Sequence, residues 1–330
     1  MAASTPALRR SEPGPAEVRL MLRAAQMYYR LHLTQDQIGR RLGVSRFKIG
    51  RLLDRALRES AVRIEIVHPA AGLVELEDAL VERFGLRAAV VVDVPTAVGD
   101  LEADQLARER VAAAAAELLA GLRPTGTIGV SWGRTMLELA AHLRPGWTAA
   151  TEIVQLNGAI SRSAQPTRAN EVVERFGLTT GGSLRLMAAP AIVGTAELRT
   201  ALEGDPAVGE TLAATRAAPT AIFGLGVLAP DSVHVASGYL GEAELAALSE
   251  AGAVGDVLGR FLSRDGRIAM AALDARTVGL PLEELHAKDL AVALVAGSGR
   301  GPITLAALRA RCLNVLVADA PIADWVLRHG

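Results

Sequence analysis

From residue 88 to residue 319 short apolar runs alternate with stretches of helical periodicity. AAVVVDV (88–94), AVALVAG (291–297) and NVLVAD (314–319) are almost uninterrupted apolar segments. A strand that keeps no polar face is one buried on both sides, as happens when helices cover both faces of a parallel sheet. Further strands are expected at 127–132, 152–160, 184–193, 220–228 and 267–273. Helices are expected between them at 108–122, 136–143, 169–177, 245–252 and 302–311. This alternation restricts residues 88–330 to an α/β fold with a mostly parallel, doubly wound sheet.

Upstream the pattern is wholly helical. In LTQDQIGRRLGVSRFKIGRLLDRALRES, Thr34 and Gln37 have capping-box spacing, and Ile38 and Leu42 share a helix face. Gly43 suits the left-handed backbone of a sharp helix end. Ser45 can then cap a second helix whose Ile49, Leu52, Leu53 and Leu57 form an apolar stripe. A first helix, with Val18, Leu22, Ala25 and Tyr29 at helical spacing, completes a three-helix headpiece. Two helices joined by a short glycine turn have the geometry that enters a DNA major groove. Ser45, Arg46, Phe47, Lys48 and Arg51 are the groove candidates, some for base edges and some for phosphates. Thr34 and Gln35 are candidates for anchoring the DNA backbone. Phe47 has a rival role in packing, and the whole segment has a rival reading as a helical hairpin with a solvated basic face.

Charge supports the DNA reading. Residues 1–66 carry 13 Lys+Arg against 6 Asp+Glu, net +7, whereas the whole 330-residue chain has net charge −1. A basic head on an acidic body fits attraction to a phosphate backbone at one end only. The length suggests two domains. Residues 1–14 read as a disordered tail and 15–68 as the helix-turn-helix domain, ending in the alternating strand VRIEIVH (62–68). The helical segment at 69–87 is either a linker or oligomerisation helix or the first element of the body, and 88–330 form the body. A single cysteine, Cys312, excludes an intramolecular disulfide and favours a reducing compartment, so a cytoplasmic location is expected. No apolar run reaches the ~20 residues of a membrane helix. The six histidines lack metal-ligand spacing, and neither a GKS/T phosphate loop nor HExxH occurs, so no metal and no cofactor are expected.

In open α/β sheets ligands bind beyond the carboxyl ends of the strands. Ser131-Trp132-Gly133-Arg134-Thr135 follows one strand and opens a helix; its backbone N–H groups, two hydroxyls and Arg134 can hold a phosphate, or it can be a structural turn. Asn157-Gly158, Gly224-Leu225-Gly226 and Gly297-Ser298-Gly299-Arg300 follow other strands. Asp256 can accept hydrogen bonds from sugar hydroxyls or, alternatively, cap a helix N-terminus. Arg168 and Asn170 either reach a ligand or are solvated loop residues. Lys288 and Asp289 precede a strand and can pair on the surface.

Taken in order, these segments resemble a known family. LTQDQIGRRLGVSRFKIGRLLDRA followed by VRIEI resembles the DNA-binding head of the SorC family of bacterial sugar-responsive transcriptional regulators. IGVSWGRT, VQLNGAISR, FGLGVL, GAVGDVLGRFLSRDG, VGLPLEEL and NVLVAD look like that family's effector domain, in the same order. The likeness covers nearly all of residues 20–325. It implies an effector domain similar in fold to ribose-5-phosphate isomerase and glucosamine-6-phosphate deaminase, and a homo-tetramer built as a dimer of dimers. It also implies binding to double-stranded operator DNA under control of a sugar or sugar-phosphate effector, without enzymatic activity or membrane association. The matching effector positions are the 131–135 loop, Asn157-Gly158, Gly224-Leu225-Gly226, Asp256 and the 297–301 loop. One departure stands out: where the family often reads GGxxK, this chain has Gly301 in the lysine's place and Arg300 one residue earlier. An alternative is a sugar-phosphate isomerase or deaminase fused to a DNA-binding head. A third reading is a structural DNA-binding protein with no ligand.

Overall fold

In the computed structural model, residues 14–62, 71–94, 100–161, 163 and 167–330 are described. The chain divides into two compact units, Met1–His68 and Pro69–Gly330. All but Gly14 of the disordered tail expected at 1–14, and nearly all of the strand expected at 62–68, lie outside the described residues.

Among its described residues the first unit holds three helices: α1 (Pro15–Tyr29), α2 (Gln35–Leu42) and α3 (Arg46–Arg58). Thr34 and Gln37 form the reciprocal capping box, with Gln37 N donating to Thr34 Oγ1 at 3.3 Å and Thr34 N to Gln37 Oε1 at 2.9 Å. Gly43 ends α2 at φ 69°, and Ser45 caps α3 by accepting from Lys48 N. The turn is tight: a Cβ on Gly39 would lie 2.6 Å from the Val44 carbonyl oxygen. Ile38, Ile49, Leu52, Leu53 and Ala56 are buried against Met21, Ala24 and Ala25 of α1. Small alanines let α1 approach α3 closely, so the buried face of α1 runs through Met21 and Ala24. Leu22, expected on that face, is exposed, as is Leu57 on α3.

The second unit begins with α4 (Ala71–Phe84), β1 (Ala88–Val92), α5 (Asp100–Leu122), β2 (Thr125–Val130) and α6 (Arg134–His142). Next come β3 (Ala149–Gln155), α7 (Ala169–Thr180), β4 (Ser183–Arg185), α8 (Ala196–Glu203) and α9 (Pro206–Ala217). After β5 (Thr220–Val227) follow two short helices, α10 (Val233–Ala236) and α11 (Glu242–Glu250), and a hairpin of β6 (Ala253–Val257) and β7 (Arg260–Ser263). The chain closes with α12 (Ala271–Asp274), a 3₁₀ turn (Leu282–Ala287), β8 (Leu290–Val295), α13 (Gly301–Arg309), β9 (Val315–Asp319) and α14 (Ala320–His329).

Strands in the order β1-β9-β8-β5-β2-β3-β4 form one parallel sheet, and the β6–β7 hairpin joins β5 antiparallel. Side chains of β8 alternate between two cores, as period-two geometry requires. Ala291, Ala293 and Val295 enter the core under α13 and α14, whereas Leu290, Val292 and Leu294 enter the one under α5 and α6. Helices therefore cover both faces, as the alternation in sequence requires.

Several expectations are corrected. β1 is an edge strand, so only Ala89 and Val91 are buried and the residues of its other face are half-buried. Of the readings left open for 69–87, the described part of the segment packs as an element of the body: Leu80 is fully buried there and Glu77 accepts from Val91 N at 2.8 Å. The strand expected at 184–193 stops at Arg185, on the opposite edge of the sheet. Residues 267–273 form no strand: they touch β7 through a single bridge, Leu262 to Ile268, and then turn into α12. Asp256 lies on β6 rather than at a helix N-terminus. Lys288 does not pair on the surface; it is buried, and its ammonium donates to the carbonyls of Thr215 and Arg216.

Candidate effector site and DNA-binding face

The sheet reverses its winding at β2. The chain passes from β2 to β3 on one side, and later returns to place β5 on the other. The connections leaving β2 and β5 therefore diverge, opening a crevice at their carboxyl ends, the place where α/β sheets bind ligands. Ser131, Trp132 and Gly133 leave β2 and lead into α6; Gly133 adopts φ 138°, where a side chain would be strained. Gly226, near the end of β5, faces the hairpin so closely that a Cβ would lie 2.0 Å from Asp256 Oδ1. Glycine at 226 thus allows the Asp256 carboxylate to stand at the crevice.

The crevice is lined by polar groups left without partners. Six buried side-chain polar atoms lack a hydrogen bond among the described residues, and four of them line it: Ser131 Oγ, Asn157 Oδ1, His234 Nδ1 and Asp256 Oδ1. A buried polar atom without a partner costs about 1–3 kcal/mol, so four in one cleft mark a place where a ligand supplies the missing hydrogen bonds. His234 Nε2 donates to Asp256 Oδ2 at 3.1 Å, and Gly259 N donates to the same oxygen at 2.9 Å. Burial disfavours the His234 imidazolium, but the charge and hydrogen bond of Asp256 outweigh it, and its pKa lies above the ordinary value. The imidazole is packed edge-on against Trp132 and Phe261, each 5.6 Å away between ring centres.

Three guanidinium groups, of Arg108 on α5, Arg134 at the start of α6 and Arg300 just before α13, line the same cleft. Burial pulls the Arg300 pKa down; Asp104 offsets this, while the charges of Arg134 and Arg108 pull it further down. Arg108 is lowered by burial and then by Arg134. Within 4.0 Å the trio has one carboxylate among the described residues, Asp104, which is 3.5 Å from Arg300. The first turn of α6 carries no side-chain cap, so its backbone N–H groups add to this positive corner. The cleft can thus take a ligand with hydroxyl groups at one end and an anionic group at the other.

Of the positions proposed from sequence, Ser131, Trp132, Gly133, Arg134, Thr135, Asn157, Gly224, Leu225, Gly226, Asp256 and Arg300 meet in this cleft. Six do not. Gly158 is pressed under Pro190, where a Cβ would lie 2.2 Å from the carbonyl oxygen. Arg168 is exposed in a bidentate pair with Glu171, and Asn170 is exposed at the start of α7. Gly297, Ser298 and Gly299 line a neighbouring recess with Ile322 and Trp325, because Gly297 N donates to Asp319 and Ser298 N to Asp104. Sequence reasoning missed Arg108, Ser232, Val233, His234, Leu258 and Gly259. It also expected no G-x-S-x-G elbow, whereas Gly129-Val130-Ser131-Trp132-Gly133 fits that pattern at a strand-to-helix turn. Among the described residues no base is hydrogen-bonded to Ser131 Oγ.

On the headpiece, Ser45, Arg46, Phe47, Lys48 and Arg51 are all exposed along the N-terminal half of α3. Phe47 is 71 % exposed, which removes its packing role. Thr34 is exposed beside them, and Gln35 is half-buried against Gly50, where a Cβ would lie 3.3 Å from Gln35 Oε1.

Residues 68–328 match the family model Sugar-bind, described as a "Putative sugar-binding domain". A deoxyribonucleoside regulator of Bacillus subtilis (strain 168) is 30% identical over 91% of this chain and 95% of its own length. The transcriptional regulator LsrR of Klebsiella pneumoniae is likewise 30% identical, over 94% of both chains. The solved full-length sorbitol operon regulator SorC from Klebsiella pneumoniae shares the fold, with a TM-score of 0.69 over 94% of this chain and 99% of that one, at 24% identity. The crevice at the sheet's switch point and the exposed basic helix behind a glycine turn accord with these likenesses, and the chain belongs to the SorC family of bacterial sugar-binding transcriptional regulators.

Proposed function

We propose that this protein is a cytoplasmic transcriptional regulator whose binding to double-stranded operator DNA is controlled by a sugar or sugar-phosphate effector in the α/β unit. The carrying observation is the group of four unpartnered buried polar atoms beside three arginines in a single cleft. Ser131, Asn157, His234 and Asp256 take the ligand's hydroxyl groups. Arg108, Arg134 and Arg300, with the first turn of α6, take its anionic group. The headpiece places α3 in the major groove, with Arg46, Phe47, Lys48 and Arg51 toward the DNA and Thr34 at the backbone. The protein works by binding rather than turnover, and as a homo-tetramer made of two dimers, so that effector binding changes the spacing of the reader helices across half-sites.

Operator binding measured by fluorescence anisotropy tests the reading, using DNA from the protein's own gene neighbourhood at fixed salt, across a panel of sugars and their phosphates. One compound is expected to shift affinity at least tenfold, about 1.4 kcal/mol of coupling. Tight, specific DNA binding that ignores every compound overturns the effector half. Sedimentation of the free and DNA-bound protein tests the tetramer.

A further inference from the structure

Phe47 is the most exposed aromatic residue of the headpiece, and it stands at the second position of α3. Its neighbour Arg46 lays its guanidinium carbon 5.1 Å from the Phe47 ring centre. Around the pair, Lys48 and Arg51 are exposed on the same half of the helix, while Ile49, Leu52 and Leu53 are buried on the other. The solvated phenyl ring interrupts a surface whose other members are cationic or hydroxylic. Phosphate neutralisation has no use for it. In the major groove, one base offers an apolar feature: thymine, through its C5-methyl group. The residue at this position of a recognition helix reaches base edges rather than the backbone.

We propose that Phe47 is a specificity-determining residue that selects a thymine in each operator half-site by covering its methyl group, while Arg46, held against the ring, reads or brackets the adjacent base. The proposal rests on the headpiece entering the major groove. The ring excludes water from the methyl, and the guanidinium restrained by the ring enters the groove with less side-chain freedom to lose.

The test selects binding duplexes from a random-sequence pool with the full-length protein, with Phe47→Ala and with Phe47→Leu. Wild type is expected to enrich a two-fold motif with a T·A pair at one fixed place in each half. Phe47→Ala should keep the rest of the motif and lose that preference, and Phe47→Leu, which retains apolar bulk, should keep most of it. In the wild-type motif, replacing that thymine by deoxyuridine removes only the methyl and should weaken binding about fourfold per half-site, with no effect on Phe47→Ala. Equal sensitivity of both proteins to deoxyuridine, or a motif unchanged by Phe47→Ala, overturns the proposal. Enrichment of no motif by any of the three proteins overturns the groove-binding reading on which it stands, which is a different failure.

Discussion

Asp256→Asn is the sharpest perturbation of the cleft, because it removes a charge and almost no volume. The carboxylate is 5 % exposed and holds both His234 Nε2, at 3.1 Å, and Gly259 N, at 2.9 Å. Asparagine keeps an oxygen for Gly259, so the hairpin turn survives. His234 loses its counter-charge while remaining buried. Its folded pKa lies above its ordinary value of 6.5, so the stabilisation is fully present below 6.5 and is lost as pH rises through the folded value. Removing one partner of a buried pair typically costs about 3–5 kcal/mol. Here the imidazole can escape part of that cost by deprotonating, so about 2–3 kcal/mol is expected near pH 5.5. At a pH above the folded His234 pKa, where the imidazole no longer carries the charge that Asp256 balances, the difference should shrink below about 1 kcal/mol. The assay is urea unfolding followed by tryptophan fluorescence at both pH values. Trp132, Trp147 and Trp325 all lie in the α/β unit, so the signal reports that unit alone. An equal loss at both pH values, or a larger one at high pH, refutes the assignment of an ionised His234–Asp256 pair.

Gly39→Ala should destabilise the headpiece by about 1–3 kcal/mol, since its Cβ would sit 2.6 Å from the Val44 carbonyl oxygen. Operator affinity falls while the tryptophan-detected melting of the α/β unit is unchanged; parallel loss of both would sink the prediction. Arg51→Ala should lower the slope of log affinity against log salt by about 1, as expected for one phosphate contact, measured by anisotropy from low to physiological salt. Asp104→Asn should raise the affinity for inorganic phosphate about two- to fivefold, because the partly exposed Asp104–Arg300 pair is worth about 1 kcal/mol or less. Calorimetric titration with phosphate checks this, and a fall in affinity would show that Asp104 assists the anion instead of competing with it.

The headpiece was legible because its signals are local. A capping box, a glycine at φ 69° and a serine cap are all decided within a few residues of one another. The strands β5, β8 and β9 were legible for a related reason: burial on both faces leaves a continuous apolar run. The β6–β7 hairpin was not. Gly255, Asp256 and Gly259 look like a polar turn, yet Gly255 and Asp256 pair with Val227 and Gly226 of β5, a contact that sequence distance conceals. The run at 267–273 misled in the opposite direction. Its apolar residues follow Gly266, at φ 81°, and lie against β7 for only one bridge before α12 begins. The cleft was read half correctly. Loops ending on β2, β3 and β5 announced themselves by glycine and small polar residues, whereas His234 and Arg108 sit on helices with no such mark and join the site through tertiary packing.

The substitution at 301 follows from that packing. A Cβ on Gly301 would lie 2.5 Å from the Trp325 ring, and that ring is stacked on His329 with 4.1 Å between centres. A lysine at this position, as in the family's common pattern, would have to displace the indole and with it the last turn of α14. Positive charge at this corner comes instead from Arg300, whose guanidinium is held by Asp104 at 3.5 Å and by the Ser298 carbonyl at 3.0 Å. Asp104 also accepts from Ser298 N at 2.8 Å, so one carboxylate fixes both the arginine and the loop that carries it. An anion that takes Arg300 from Asp104 leaves that carboxylate joined to the loop through Ser298 N alone. Moving the cation from 301 to 300 makes the charge corner of the cleft part of a linkage between two elements of the sheet's carboxyl edge, which a lysine reaching in from position 301 would not require.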